Sequence, residues 1–596
     1  MEKSVACISA VTPPSSSPAR APVQISGAEQ IVGSFLRHGI THVYLFPGGT
    51  IAPIIDVIET KTAIELVCPR NEQGAGYAAL AHARLSGKPA VFMVTSGPGV
   101  TNAVTPIADA YYDNVPMVVL TGQVGTADMR GNLPVKQRGF QEVDTVDLVK
   151  PITKAAFLVT DVRDLPEVME QAFFLAQSGR QGPVVVDLPM NVQRATCAAH
   201  DFPSLKRRSY KVAELPKTRL ARLARWIERS SRPVIVAGGG VLASGAQDEL
   251  RKLADHGRIP VVMSLPGMGA YPSAKPLSLG LCGYAGSQYA NLAIYNADLL
   301  ICVGTTLHVR QTGSFGDRTA PFAKIARIDL DPSELKHSRV PLDLKIHADA
   351  KEALRALNTL LRRSPTSSAV ARTKTWLATI ETWRARFPLA PTGSVQRLKP
   401  QEVIEIADHS IGGHEVIVST GVGQHQIWVP RHFSFDYPKR QLLTSSGHGT
   451  MGYDLPAAIG AKIARPNATV VCFVGDGSLQ MNLQELATIA ERRLDIKIIV
   501  LDNQSLNIVA QFQRQNWKSH PTTGEKKNPD FARIARAYGI HAVTVNSSAA
   551  ARKTIPAVLK RRGPALINCR IDPKEDLLPM LLGGHTLDDM SFESSF

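Results

Sequence analysis

The sequence lacks any CxxC pair. Its seven cysteines, at positions 7, 68, 197, 282, 302, 472 and 569, are scattered and odd in number. That excludes a disulfide framework and a paired-cysteine zinc site, and points to a reducing compartment. No apolar run approaches the roughly 18 residues of a membrane helix, so no membrane span is expected. Aromatic residues make up only 6%, with no aromatic platform and no basic helix. The formal charge is +16 but it is dispersed, the densest clusters being Lys206-Arg207-Arg208 and Arg362-Arg363. This pattern speaks against a nucleic-acid partner and for a solvated surface that mildly favours anionic small molecules. Residues 1–24 are rich in Ser, Pro and Ala, poor in acids, and lack the apolar stretch of a secretory signal. They read as a disordered leader. The expected location is cytoplasmic, with organellar import left open.

What is present is length and alternation. A chain of 596 residues, 44% apolar and 20% charged, is a globular protein of about three or four domains. Three blocks, 25–195, 217–355 and 395–575, alternate helix-period segments with short apolar runs, followed by a tail, 576–596. The runs include 42–46, 90–95, 116–122 and 183–189 in the first block. The second has 233–240, 259–265, 299–305 and 323–331; the third has 415–421, 469–477 and 496–504. The alternation predicts an α/β fold of three doubly wound parallel sheets, covered on both faces. Ligands then bind at the carboxyl ends of strands, where the glycine and acid motifs fall.

The most informative motif is FVGDGSLQMN, 473–482. Asp476 ends an apolar run between Gly475 and Gly477, which are expected to permit a tight turn and close ligand approach. Helix periodicity from Ser478 through Arg493 would aim the first helical amides, from Gly477 and Ser478, at the same point. The next strand ends in DNQS, where Asn503 offers a neutral oxygen and Ser505 its carbonyl. Together these suit a hard divalent cation carrying a diphosphate. The three-residue motif alone is equally an ordinary glycine-rich turn. The second oxygen-bearing strand end tips the reading to a metal.

This spacing resembles that of the thiamine diphosphate enzymes. The resemblance implies that Asp476, Asn503 and the Ser505 carbonyl hold Mg²⁺ and that the third block binds the diphosphate. It also implies that the first block binds the aminopyrimidine through a glutamate that opens a helix. Glu72, in CPRNEQGAGYAA, stands in that place, where a carboxyl sharing a proton with N1′ lets the cofactor activate its own thiazolium carbon. Gly423, Gln424 and His425 in GVGQHQIW match the diphosphate loop. In TSSGHGTMGYDLPAAIGA, Gly449 would accept from the cofactor's amino group and Met451 would bend the cofactor. Met451 read alone, without the flanking motif, is better read as a core methionine.

Within the family, the chain is most similar to the acetolactate (acetohydroxyacid) synthase catalytic branch. FPGGTIAPIID, TSGPGVTNAVTPIADAY, GFQEVD, MNLQELATI and LLPM carry that similarity. The branch implies decarboxylation of pyruvate, transfer of the two-carbon unit to a second 2-oxo acid, and a place in branched-chain amino acid synthesis. Phe140 and Gln141 would shape the substrate site. The central block would hold FAD, through Gly238, Gly239, Gly240, Gly304, Thr305, Arg310 and Asp329. Read alone, Gly238-x-Gly240-x-x-Ala243 is equally a glycine-rich turn without a ligand. Arg310 has two further readings, acceptor carboxylate contact or structural ion pair. The branch also implies a homodimer or homotetramer, with Glu72 and Asp476 meeting across the dimer, and leaves room for a regulatory subunit. Five positions depart from its pattern: Met190 for Lys, Phe512 for Trp, and Thr306, His308 and Val309 on the flavin side. These leave open another acceptor, a keto-sugar nucleotide or an aldehyde, or plain decarboxylation. A paralogue that binds cofactor without turnover is the reading from another class.

Overall fold

A computed structural model describes residues 24–198, 214–362, 366–389, 397–412, 415–517 and 526–594. The leader expected over 1–24 lies outside these residues but for Gln24. Among the described residues no helix is long and apolar enough to cross a membrane.

Three six-stranded sheets organise the chain, each wholly parallel. The first runs, across its width, 65–67, 42–45, 90–94, 117–123, 183–189 and 155–158. The third repeats the same permutation with 440–444, 416–420, 469–475, 496–502, 565–570 and 541–545. Numbered by position in the chain, both read 2-1-3-4-6-5. The order reverses between the first and third strands, and a crevice opens at their carboxyl ends. The middle sheet runs 278–281, 261–263, 233–237, 299–303, 324–329 and 344–347. That is the 3-2-1-4-5-6 order of dinucleotide-binding folds, with its reversal between 233–237 and 299–303. The chain is thus α/β with three doubly wound parallel sheets.

Interior strands such as Val416–Thr420 and Ile496–Asp502 are buried throughout, which is why their apolar runs are unbroken. Most edge strands, for instance Ala155–Leu158 and His541–Val545, expose part of their length. Their mixed composition carries no clear strand signal.

The third sheet joins the other two. One face shares a core with the middle sheet, through Val418, Val471 and Phe473 on its side. The other shares a core with the first sheet, where Ile417, Val470 and Cys472 face the cluster of Tyr44 and Phe92. The helix Glu72–Ser86, rich in Ala and Gly, packs there against the helix Asp454–Ala464. A Cβ on Gly460 would stand 2.0 Å from the Ala78 carbonyl oxygen, so this crossing demands a residue without a side chain.

The tail lies on the middle domain. The buried Arg431 guanidinium donates to the carbonyls of Ala285, Gly286, Leu578 and Pro579 at 2.7–3.1 Å. Gln511 exchanges hydrogen bonds with both backbone groups of Leu577, tying the tail to the helix Asn507–Asn516.

Candidate functional site

At the reversal of the third sheet a cleft of about 430 Å³ opens. It is lined by Gly423, Gln424, His425, Met451, Gly475, Asp476, Gly477, Ser478, Asn503 and Ser505. Chain segments separated by up to 80 residues meet there because the strands before them, 416–420, 469–475 and 496–502, are neighbours in the sheet.

Asp476 is the first residue of a six-residue helix, Asp476–Met481, and is 4% exposed. Burial, reinforced by the nearby Asp502, pushes its carboxyl up to about 6, against the Asn528 hydrogen bond that lowers it. Asn528 Nδ2 donates to Asp476 Oδ2 at 2.5 Å and to Asp502 Oδ1 at 2.8 Å. Asn503 Oδ1 accepts from the Ser505 amide at 3.1 Å, which sets the Ser505 turn beside the Asn503 oxygen. A buried carboxylate held against its solvation preference, one amide oxygen and one carbonyl form an all-oxygen set. It fits Mg²⁺ whose other ligands are phosphate oxygens. Among the described residues no group of three His, Cys, Asp or Glu could hold a metal without such help.

Two expectations about this motif change. Neither Gly475 nor Gly477 adopts a left-handed conformation. They supply space: a Cβ on Gly475 would meet the His425 ring at 2.9 Å, and one on Gly477 would meet Leu506 at 2.2 Å. The helix expected from Ser478 to Arg493 breaks at Asn482 and resumes as Glu485–Glu491. Asn482 is spent as a tie, its Nδ2 donating to the Gly452 carbonyl at 2.7 Å. Two loop positions do require glycine: Gly423 has φ 153° and Gly449 has φ 81°.

Asp454 is the residue that sequence reasoning missed. Its carboxylate, wholly buried, accepts from the Gly421 amide at 3.1 Å and the Ser478 hydroxyl at 2.8 Å. It also lies 3.3 Å from His425 Nε2. Ser478 Oγ in turn accepts from the Gly452 amide at 2.8 Å. One acid therefore binds together three of the loops that line the cleft. Its only signal was an acid opening an apolar helix, in YDLPAAIGA.

Glu72 stands elsewhere. It opens its helix behind the N-cap Asn71, whose side chain accepts from the Gly74 amide at 2.7 Å. The Glu72 side chain accepts from Asn102 at 3.0 Å, is mostly buried, and does not line the cleft of its own chain. Instead the start of this helix abuts the third domain. Glu485 accepts from the Arg70 amide at 2.9 Å and from the Thr488 hydroxyl at 2.7 Å. A Cβ on Gly74 would stand 2.5 Å from it. Burial raises the Glu485 carboxyl to about 7. Between its unfolded value, near 4.5, and about 7 the native state binds the extra proton, so this group's contribution to stability is full below that window and falls as pH rises through it. In Glu485→Gln, melting curves between pH 5 and 8 should lose that decline, worth at most about 3 kcal/mol. Parallel pH dependences for the two proteins would refute the assignment.

Phe140 is 83% exposed, and Gln141 beside it takes φ 63° against Gly97. Both lie on the first domain and neither lines the cleft.

At the middle sheet's reversal, Gly238, Gly239 and Gly240 follow one strand and Gly304 and Thr305 the other, where a dinucleotide would bind. The two turns already touch, the Gly240 amide donating to the Gly304 carbonyl at 3.0 Å. Asp329 is already engaged by its neighbours. Arg327 takes its Oδ2 at 2.6 Å and the Asp331 amide its Oδ1 at 3.0 Å. Arg310 stacks on Tyr284, 5.0 Å from the ring centre, and bonds its hydroxyl at 3.2 Å.

The fold and the cleft define an α/β protein whose sheet reversal carries an all-oxygen donor set suited to a metal-bound diphosphate. Three family models match: the N-terminal TPP binding domain of thiamine pyrophosphate enzymes over 25–148, their central domain over 220–357, and their C-terminal TPP binding domain over 421–569. The chain is 38% identical over 579 residues to acetolactate synthase 1, chloroplastic, of Oryza sativa subsp. japonica, covering 95% of this chain and 87% of that one. It is 37% identical over 580 residues to the mitochondrial acetolactate synthase catalytic subunit of Aspergillus candidus, covering 94% and 82%. It is 36% identical over 573 residues to the large subunit of acetolactate synthase isozyme 3 of Escherichia coli (strain K12), covering 95% and 98%. The chain belongs to the thiamine pyrophosphate enzyme family.

Proposed function

We propose that the protein is a carboligase of the acetolactate synthase type, joining two pyruvate molecules with loss of one CO₂ to give 2-acetolactate. The observation that carries this reading is the oxygen set of the buried Asp476 and Asn503 and the half-buried Ser505 beside the Gly423–His425 turn, in a chain similar over most of its length to proteins named acetolactate synthase. Thiamine diphosphate supplies, when bound, a carbon nucleophile that takes up the acyl unit of a 2-oxo acid and hands it on. Asp476, Asn503 and the Ser505 carbonyl hold Mg²⁺. Gly423, Gln424, His425, Gly477 and Ser478 face the diphosphate, and Gly449 and Met451 hold the pyrimidine. Glu72 shares its proton with the pyrimidine N1′.

Since Glu72 does not line its own cleft, we assign it to the cleft of a second copy in a homodimer or a larger assembly. Phe140, Met481 and Phe512, all at least half exposed, would be covered there. The tail, tied to the helix of Phe512 through Gln511, would help exclude water, which favours ligation over protonation. The order of the middle sheet supports FAD at Gly238–Gly240, Gly304 and Thr305, with Arg310 at its edge. Asp329 ends the next strand, its carboxylate already accepting from Arg327 and the Asp331 amide. The name of the E. coli relative as a large subunit supports a smaller partner chain.

Purified protein with Mg²⁺, thiamine diphosphate, FAD and pyruvate should yield acetolactate in preference to acetaldehyde. CO₂ release with acetaldehyde alone would make it a decarboxylase, and no CO₂ release would end the proposal. Met190 and the half-exposed Phe512 favour a second reading, the same donor with another acceptor. Acetolactate formation that is slow until a keto-sugar or aldehyde is added would establish it.

A further inference from the structure

The loop that carries Gly449 and Met451 is anchored outside its own domain. It follows the strand Arg440–Thr444 and rests on the end of the first-domain helix Pro98–Tyr112. Two acids on that helix end, Asp109 in its last turn and Asp113 at its C-cap, stand one turn apart. The wholly buried Ser445 hydroxyl donates to Asp109, while its oxygen accepts the amides of Gly449 at 3.0 Å and Thr450 at 2.9 Å. Asp113 accepts the amides of Ser446 at 3.0 Å and Gly447 at 2.7 Å. Arg84 bonds Asp113 at 2.6 Å and the Thr444 carbonyl at 2.9 Å. The Tyr112 ring stacks on His448, 5.6 Å away and 7° from parallel. A Cβ on Gly447 would stand 2.8 Å from Tyr112.

The electrostatics of the helix argue against a merely local role for these acids. A helix carboxyl end carries partial negative charge and favours cations. Asp113 opposes the dipole, burial pushes the Asp109 carboxyl up to about 7, and both acids gain through what they bind. They bind four amides of the loop, directly or through Ser445, together with one arginine. The four amides occupy 446, 447, 449 and 450, immediately before Met451.

We propose that Asp109 and Asp113 are positioning residues for the cofactor. Acting through Ser445 and the loop amides, the first domain fixes the loop that presents the Gly449 carbonyl and the Met451 side chain to the cleft of the same chain. Each first domain then has two separate tasks, Glu72 for the partner's cleft and this latch for its own. The inference rests on the assignment of Gly449 and Met451 to the cofactor.

The test is the binding of thiamine thiazolone diphosphate, which does not react, to the full-length protein with saturating Mg²⁺, by titration calorimetry. Ser445→Ala should weaken binding about 10-fold, the scale of losing one hydroxyl that bridges an acid and two amides, and lower kcat more than it changes KM for pyruvate. Ser445→Thr, which keeps the hydroxyl, should restore most of the affinity. Asp113→Asn, which keeps the size of the side chain, serves if Ser445→Ala does not fold, and should weaken binding several-fold. Affinities within twofold of wild type for the folded variants, with only the melting temperature lowered, would reduce the latch to a structural contact and overturn the proposal. Met451→Ala is the control on the underlying assignment. If it alone weakens the analogue, the latch is wrong and the site stands. If it changes nothing, the site assignment falls and takes the latch with it.

Discussion

Replacing Glu72 with glutamine should lower turnover by roughly 10²- to 10⁴-fold, the range for removing a positioned acid or base, while the protein still folds and binds cofactor. Glutamine keeps the shape of the side chain and can still accept from Asn102, the one hydrogen bond the Glu72 side chain makes among the described residues. It also leaves the N-cap, Asn71 to Gly74, untouched. What it removes is the exchangeable carboxyl proton. The measurement pairs steady-state rates with calorimetric affinity for thiamine diphosphate and Mg²⁺. Unchanged turnover would remove Glu72 from the chemistry. A large loss of binding with the loss of rate would make it a ligand and not a proton carrier. Because Glu72 stands outside its own cleft, a second arm follows. Mixing Glu72→Gln with Asp476→Asn, each strongly impaired alone, should regain activity from mixed dimers that hold one intact site. No recovery after subunit exchange would argue that both groups serve the same chain's cleft.

Asp476→Asn should cost at least about 100-fold in Mg²⁺-dependent retention of thiamine diphosphate, read by equilibrium dialysis. Asn528→Ala, which removes the partner that orients the carboxylate, should cost about 10- to 100-fold, as outer partners of metal ligands do. The reasoning is charge. The oxygen set has one carboxylate, and that carboxylate is buried where its ionised form is disfavoured; a divalent cation supplies the compensation. With the carboxylate gone, Asn503 and a carbonyl are left to hold Mg²⁺ with the diphosphate. Chelation of the wild type should mimic Asp476→Asn, and the variant should respond weakly to added Mg²⁺. Equal retention by wild type and Asp476→Asn would remove the metal from this site.

Much of the site was legible because the chemistry is local. Asp476 sits at the end of an apolar run, and Asn503 at the end of the next. In a parallel sheet such ends are brought together whenever the strands are neighbours, as 469–475 and 496–502 are. Gly423 was legible only through resemblance, and the structure supplies the backbone reason, its φ of 153°. Glu72 was legible only through resemblance, since an acid opening a helix is commonplace.

What the sequence concealed is long-range. Asp454 looks like any first-turn acid, and it becomes the hub of three loops only when Gly421, Ser478 and His425 converge on it. Asn528 lies about 50 residues beyond Asp476 in the chain and reaches it through space. The break at Asn482 ran against helix periodicity, because a side chain bonded to Gly452 outweighed one turn of helix. The glycines of the GDG motif were expected for their backbone freedom and are needed for their missing side chains.

By itself the sequence determined the fold class, the number of sheets and the kind of ligand, since strand period, glycine placement and oxygen donors are properties of short segments. Only the tertiary structure showed that Glu72 does not line the cleft of its own chain, and that Asp109 and Asp113 grip the loop before Met451. Those facts depend on which faces of separate domains pack together. Such packing is set by burial summed over dozens of side chains and leaves no mark in any one stretch of sequence.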